Sequence, residues 1–139
     1  ELKKLVHDLG LEDRVFLKGN SSDIYSHYKA SDIFAFPSAF EGFGLAMTEA
    51  MSAGLPVVAY KNCPAVNELI ENWKDGYLVE NGVKPFAEGL QRLMQDRELR
   101  SSMGQYAHDA MMKYAPESVW NQWEDLMEKV IHLNHTRGN

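Results

Sequence analysis

Cysteine is almost absent from this chain. Cys63 is the only one in 139 residues, so no internal disulfide can form and a reducing compartment suits the protein. Long apolar runs are missing as well. None approaches the ~20 residues that a membrane-spanning helix requires. Positive charge is in short supply, with 14 Lys and Arg against 20 Asp and Glu and a formal net charge of −6. A polyanionic nucleic-acid backbone is therefore excluded as a partner. No internal repeat, low-complexity tract or second domain interrupts the sequence. The composition that remains is 45% hydrophobic and 24% charged, which at this length supplies one globular domain with a true core.

Hydrophobic periodicity divides the chain into alternating strands and helices. Leu2, Leu5, Val6 and Leu9 share one helical face that Gly10 terminates. Val15 to Leu17 reads as a short strand closed by Lys18-Gly19. Asp23 can cap a helix through Tyr28, with Ile24, Tyr25 and Tyr28 turned inward. Further strands are expected at Ile33 to Phe36, Pro56 to Tyr60 and Tyr77 to Val79. Helices are expected between them at Gly44 to Ala53 and Val66 to Ile70. Lys61 to Pro64 and Asp75-Gly76 read as turns. From Pro85 the pattern is helical throughout: 85–95, 97–113 capped by Asp96, and 116–132 opened by Pro116. Alternation of this kind predicts an α/β fold with a parallel sheet covered on both faces. Residues 1–132 form the domain, partial at its start because the chain opens inside a helical pattern. Residues 133–139 form a polar tail expected to fray.

The most informative stretch runs from Phe36 to Met51. An apolar strand is stopped by Pro37, and Ser38 begins a loop. Gly42 and Gly44 bracket Phe43, so the backbone there can turn tightly and approach a ligand. A helix follows, with Leu45, Met47, Ala50 and Met51 as apolar positions and Gly54 as its stop. The first N–H groups of that helix have no partner within it and favour an anion. A dinucleotide-binding fingerprint fails because its third glycine would fall at Met47. A phosphate loop fails because no Gly-Lys-Ser/Thr is present. Glu41 lies in the loop and Glu49 on the helix. An isolated surface glutamate is usually just solvated. Glu49, however, is set among Ala46, Met47, Ala50 and Met51, where a carboxylate needs a partner, and Glu41 adjoins the glycine loop.

Taken together, Pro37-Ser38, Glu41-Gly42-Phe43-Gly44-Leu45, Glu49-Ala50-Met51 and Gly54-Leu55-Pro56-Val57-Val58 resemble the donor-sugar motif of retaining glycosyltransferases of the two-domain GT-B architecture. The similarity is to the large family that builds bacterial surface polysaccharides, sucrose and glycogen-like glycans. It continues through Asn67-Glu68-Leu69-Ile70, Asp75-Gly76-Tyr77-Leu78-Val79 and Leu93-Met94-Gln95-Asp96, and covers most of residues 13 to 130. The resemblance implies a Rossmann-like parallel sheet with flanking helices, the C-terminal half of a GT-B fold. It implies transfer of a sugar from a UDP- or GDP-sugar donor to a glycan or lipid-linked acceptor with retention of configuration, and no cofactor or required metal. Alternatives are a GT-B synthase of a soluble sugar and a non-catalytic sugar-nucleotide-binding or interaction domain.

The resemblance also assigns residues. Glu41, as the catalytic-site carboxylate, contacts donor-sugar hydroxyls near the reacting carbon. Glu49 accepts from the ribose hydroxyls. Backbone N–H groups of Gly42, Phe43, Gly44 and Leu45 meet the sugar and diphosphate, and Asn20 and Ser21 lie near the base. Both glutamates are expected to face one crevice, with the helix N-terminus between them. A basic Arg and Lys pair for the diphosphate, and the domain that binds most of the acceptor, would precede residue 1. The implied setting is cytoplasmic, with the inner face of the membrane as a further location for the full-length protein.

Other candidates read more plainly. Cys63-Pro64 is a turn without the charges that activate a thiol. His132 and His135 have a loose metal-like spacing but no acidic or Cys companion. Trp120, Trp123, Met127, Val130 and Ile131 form a helical stripe whose ordinary use is packing. By resemblance this last helix turns back toward the upstream domain. The family's strand order, 3-2-1-4-5-6, would place two strands between Val15–Leu17 and Ile33–Phe36. Ile33–Phe36 would then have a bare edge in the isolated chain, which is expected to self-associate or to be poorly stable.

Overall fold

The computed structural model describes residues 1–137, and side chains as far as Leu133. Seven helices and three strands follow one another: α1 (Leu2–Asp8), α2 (Ile24–Lys29), β1 (Phe34–Phe36), α3 (Leu45–Ser52), β2 (Val57–Tyr60), α4 (Pro64–Leu69), β3 (Gly76–Val79), α5 (Val83–Gln95), α6 (Arg97–Met111) and α7 (Pro116–Arg137). A 3-10 turn, Met112–Tyr114, joins α6 to α7. The strands form one parallel sheet in the order β1-β2-β3, with Phe34 opposite Val57 and Val57 opposite Gly76. The expected α/β architecture, a Rossmann-like parallel sheet flanked by helices, is present.

Side-chain alternation on β2 divides the core in two. Val57 and Ala59 point to one face, where they pack with Met47 and Met51 of α3, Val66 and Leu69 of α4, and Ala107 and Met111 of α6. Val58 points to the other face, onto Phe86 and Leu93 of α5 and Met103. All three β2 residues are fully buried, the mark of a central parallel strand. Cys63 is also fully buried, in the first cluster. Pro64 occupies the first turn of α4, so that helix starts earlier than its apolar pattern predicts. The expected caps are in place: the Ser26 N–H donates to Asp23 Oδ1 at 3.1 Å and the Leu99 N–H to Asp96 Oδ1 at 2.8 Å.

Four expectations are corrected. Ile24 and Tyr25, expected to turn inward with Tyr28, are about half exposed, and Tyr28 alone of the three is buried. Val15 to Leu17 is not a strand. Its three side chains are 39%, 66% and 48% exposed, and no neighbouring strand is at hand to take its backbone hydrogen bonds. Without a ladder, β propensity alone does not hold a strand. The helix expected over 97–113 yields to the 3-10 turn at Met112. The last helix runs past His132 to Arg137, where a polar tail was expected; 138–139 lie outside the described residues. Its stripe stays uncovered, with Trp120, Trp123, Leu126, Met127, Val130 and Ile131 all about half exposed or more.

α3, which carries the glutamate, is fixed at its far end by an unusually close helix contact. Gly54, with φ +85°, ends α3 in the left-handed region. Its carbonyl oxygen would lie only 2.3 Å from a Cβ added at Gly104 of α6. Beside it, His108 of α6 donates its Nδ1–H to the Ser52 carbonyl at 2.7 Å, so a free carbonyl at the end of α3 is satisfied by a side chain.

The α4–β3 connection holds a buried carboxylate. Asp75 is 5% exposed and accepts the Glu71 N–H at 2.7 Å. Burial pushes its pKa up from 3.8; the Glu71 N–H hydrogen bond opposes that and the Glu71 carboxylate adds to it. Trp73 in the same loop has φ +70°, rare for a bulky residue. Tyr77 lies at 4.1 Å between ring centroids and the Arg92 guanidinium 4.8 Å over its ring, and these contacts hold the turn.

Two stability measurements check these readings. Gly104→Ala should lower the urea-unfolding free energy by about 1–3 kcal/mol, despite alanine's higher helix propensity, because the methyl group has no room. For Asp75 the native state binds its proton more tightly than the unfolded chain does. Its share of stability is therefore largest at low pH and falls as pH rises through the window just above 3.8. Asp75→Asn keeps the acceptor for the Glu71 N–H. Because the variant lacks the titrating carboxyl, the wild-type-minus-variant stability difference should itself fall between pH 4 and neutrality.

Candidate functional site

The site begins where β1 stops. Pro37 ends the ladder, and the chain loops through residues 38–44 before entering α3. Ser38 folds the loop on itself. Its hydroxyl lies 2.7 Å from Glu41 Oε1 and 3.1 Å from the Phe40 carbonyl, so its single proton goes to the nearer, charged acceptor. Phe43 meets Tyr114 edge to face, with ring centroids 5.8 Å apart, and ties the loop to the 3-10 turn. Gly44 is the N-cap of α3 at φ +81°, ψ +49°. A Cβ there would meet only ordinary contacts, so it is the backbone angle that calls for glycine. No side chain caps α3; the Met47 N–H donates to the Gly44 carbonyl at 3.0 Å, which leaves the N–H groups of Leu45 and Ala46 for another acceptor.

Along α3 the buried side is Met47, Ala50 and Met51, all with no exposure. The opposite side presents Leu45, Thr48, Glu49 and Ser52 at helical spacing. These line a groove of about 550 Å³ together with Tyr25 of α2, Phe43 and His108. Glu49 is anchored on the α2 side, where its Oε2 accepts the Tyr28 hydroxyl at 3.2 Å. Burial first, and the adjacent Glu49 carboxylate second, raise the Tyr28 pKa above 10.0. The phenol is therefore a donor throughout the physiological range.

The structure brings Phe43, Leu45 and Glu49 together in this groove. Glu41, Gly42 and Gly44 belong to the adjoining loop and do not line it, and Glu41 is instead held by Ser38. Asn20 and Ser21 lie in the irregular segment before α2, both exposed. Ser21 Oγ accepts the Asp23 N–H at 3.1 Å. Two contributors escaped the sequence reading, the Ser38 and Tyr28 hydroxyls that hold the two glutamates. The only available signal was an inward tyrosine on the helix preceding β1 and a serine three residues before Glu41. Among the described residues no three His, Cys, Asp or Glu side chains cluster to hold a metal ion, and the His135 side chain lies outside them.

Residues 1–110 match the family described as glycosyl transferases group 1. Among curated relatives, the chain is 36% identical over 132 residues to an exopolysaccharide phosphotransferase of Streptomyces coelicolor, covering 94% of this chain and 14% of that protein. It is 32% identical over 128 residues to the poly(ribitol-phosphate) alpha-N-acetylglucosaminyltransferase of Staphylococcus aureus, covering 91% of this chain and 26% of that one. Among solved structures, the Anabaena protein HepE in complex with UDP superposes with a TM-score of 0.83 at 28% identity, over 92% of this chain and 36% of HepE. The chain thus spans well under half the length of these proteins, and its fold is part of the GT-B architecture that its glycosyltransferase neighbours share. By sequence and by fold, the chain belongs to the glycosyl transferases group 1 family.

Proposed function

We propose that this chain is the donor-binding part of a retaining glycosyltransferase. It would take a UDP- or GDP-sugar and pass the sugar to a glycan or lipid-linked acceptor during assembly of a cell-surface polysaccharide. The observation that carries this reading is an α3 N-terminus with no side-chain cap, preceded by Glu41 in its loop and followed by Glu49 on the helix, each held by a hydroxyl donor. The relatives support the substrate class: one is named for transfer of N-acetylglucosamine to a poly(ribitol phosphate), and one was solved with UDP. No helix among the described residues is long and apolar enough to cross a membrane. Work on the cytoplasmic side, at the inner membrane face where lipid-linked acceptors lie, fits that observation.

The chemistry follows from the groups present. The acceptor oxygen forms a bond to the anomeric carbon while the bond from that carbon to the diphosphate oxygen breaks; the diphosphate leaves with the electron pair, and the acceptor hydroxyl's proton passes to it. Negative charge grows on the leaving group. The N–H groups from Gly42 to Leu45 oppose it from a position fixed before reaction, helped by cations supplied from upstream. Glu41 accepts from donor-sugar hydroxyls near the reacting carbon and Glu49 from the ribose. A carboxylate suits each task because its two oxygens can bridge vicinal hydroxyls. Asn20 and Ser21 lie toward the base. No step calls for a metal or a cofactor.

A second reading rests on the relative named a phosphotransferase. In that reaction the bond broken lies between the two phosphorus centres, and the sugar leaves donor and nucleotide together with one phosphate. The products separate the two readings, since glycosyl transfer releases a nucleoside diphosphate and phosphosugar transfer a nucleoside monophosphate.

Two sets of measurements test the assignment. In the full-length protein, Glu41→Gln should lower turnover more than nucleotide affinity. Glu49→Ala should weaken nucleoside-diphosphate binding by about tenfold to a hundredfold, the worth of a charged hydrogen bond. Unchanged affinity in the Glu49 variant rejects its role. The second set concerns the chain alone. Among the described residues β1 pairs only with β2, which leaves its other edge unpaired, and exposed templates of this kind recruit further strands. The 139-residue chain should self-associate or be poorly stable, with little transferase activity; a sedimenting monomer with strongly protected amides at residues 33–36 overturns this.

A further inference from the structure

We infer that Tyr28 is a positioning residue for Glu49, and through it makes the site select nucleotides with intact ribose hydroxyls. The inference rests on the donor-site reading above and extends it to a residue outside the motif.

Glu49 is an exposed glutamate on a helix surface, a side chain with several free torsions. Left alone, its carboxylate would sample many orientations, and binding would have to select one. Tyr28 removes that freedom. Its ring is 7% exposed and packs in a cluster with Ala50 of α3 and Leu55. It meets Phe34 of β1 edge to face at 5.8 Å and 81°, and Phe34 in turn stacks on Phe36 at 5.8 Å. A hydroxyl carried on a ring so enclosed is a donor fixed relative to the sheet. It reaches Glu49 Oε2 at 3.2 Å, across 21 residues of sequence.

One bond to one oxygen leaves Oε1, and the remaining lone pair of Oε2, for a ligand. A carboxylate anchored at one corner presents the other acceptors in a constant direction. Recognition of two adjacent hydroxyls needs that constancy, because both hydrogen bonds must be made at once. The same strand that ends in the donor loop therefore also orients, through Phe34 and Tyr28, the carboxylate on the helix beyond that loop. Were the bond a way of satisfying the Tyr28 hydroxyl and no more, removing it would affect stability and leave ligand preference alone.

Tyr28→Phe separates these possibilities because it keeps the ring. The full-length protein is titrated with UDP and GDP, and the nucleotide that binds is compared with its 2′,3′-dideoxy form. The wild type should prefer the natural ribose. Tyr28→Phe should reduce that preference by about threefold to tenfold, the range of one neutral-donor hydrogen bond. The ratio of the two affinities does not depend on the fraction of folded protein, so a loss of stability cannot imitate the effect. In a Glu49→Ala background, adding Tyr28→Phe should change the ratio no further, as expected for residues that act as a unit. A wild-type preference untouched by Tyr28→Phe overturns this inference and spares the donor-site reading. An effect that persists without Glu49 overturns it too. Failure of the wild-type protein to bind either nucleotide overturns the donor-site reading and this inference with it.

Discussion

The geometry of the site depends on one close approach of two backbones. The Gly54 carbonyl and Gly104 touch at a distance that no side chain would permit, and this sets how near α6 comes to the end of α3. With His108 on the Ser52 carbonyl and Met111 packed under α3, the helix is held at its C-terminal end. Its N-terminus is then free of structural duties. A helix anchored at both ends by side-chain caps would have no N–H groups left for a ligand. One anchored through its buried face and its last turn keeps them. The close-packed core on that side, Met47, Met51, Val57 and Ala59, turns this anchoring into a fixed position relative to the strand ends.

The two glutamates are treated alike by their surroundings, though they sit on different elements. Each receives a hydrogen bond from a hydroxyl, Ser38 for Glu41 and Tyr28 for Glu49, and neither is paired with a basic side chain within salt-bridge distance among the described residues. A salt bridge would consume acceptor capacity and neutralise the charge. A hydroxyl donor occupies one lone pair and leaves the carboxylate free to accept from sugar hydroxyls. The arrangement suits polar recognition. It differs from a glycosidase pair, in which one carboxyl must hold a proton and both must flank the scissile bond.

Much of this was legible from sequence because it was written locally. The strand before Pro37, the glycine at the start of α3, the Asp23 and Asp96 caps and the buried β2 each follow from side-chain period or backbone restriction within a few residues. Where the sequence misled, the deciding partner was remote. Val15 to Leu17 has strand composition, but a strand exists only through its neighbour. The turn at Trp73 is left-handed, where glycine or asparagine would be expected, and aromatic and guanidinium contacts from β3 and α5 hold it there. Tyr28 looked like a core residue and is one. That its hydroxyl also reaches Glu49 depends on how α2 crosses α3, which no local pattern encodes.

Charge decides how far this segment can act by itself. A nucleoside diphosphate brings negative charge to a chain whose net charge is −6 and to a loop and groove that already hold two carboxylates. Among the described residues no Lys or Arg lines the groove, and its one basic side chain is His108, whose Nδ1–H is committed to the Ser52 carbonyl. The helix N-terminus contributes a partial positive charge of about half a unit. That is too little to offset the charge of a diphosphate by itself, since a like-charge contact with a carboxylate costs a few kcal/mol even in a surface-like dielectric. The groups present suit a hydroxyl-bearing ligand better than a diphosphate. The diphosphate needs cations that this groove does not hold. On the proposed donor-site reading, hydroxyl recognition falls to this groove and its loop, and neutralising the diphosphate falls to cations outside them.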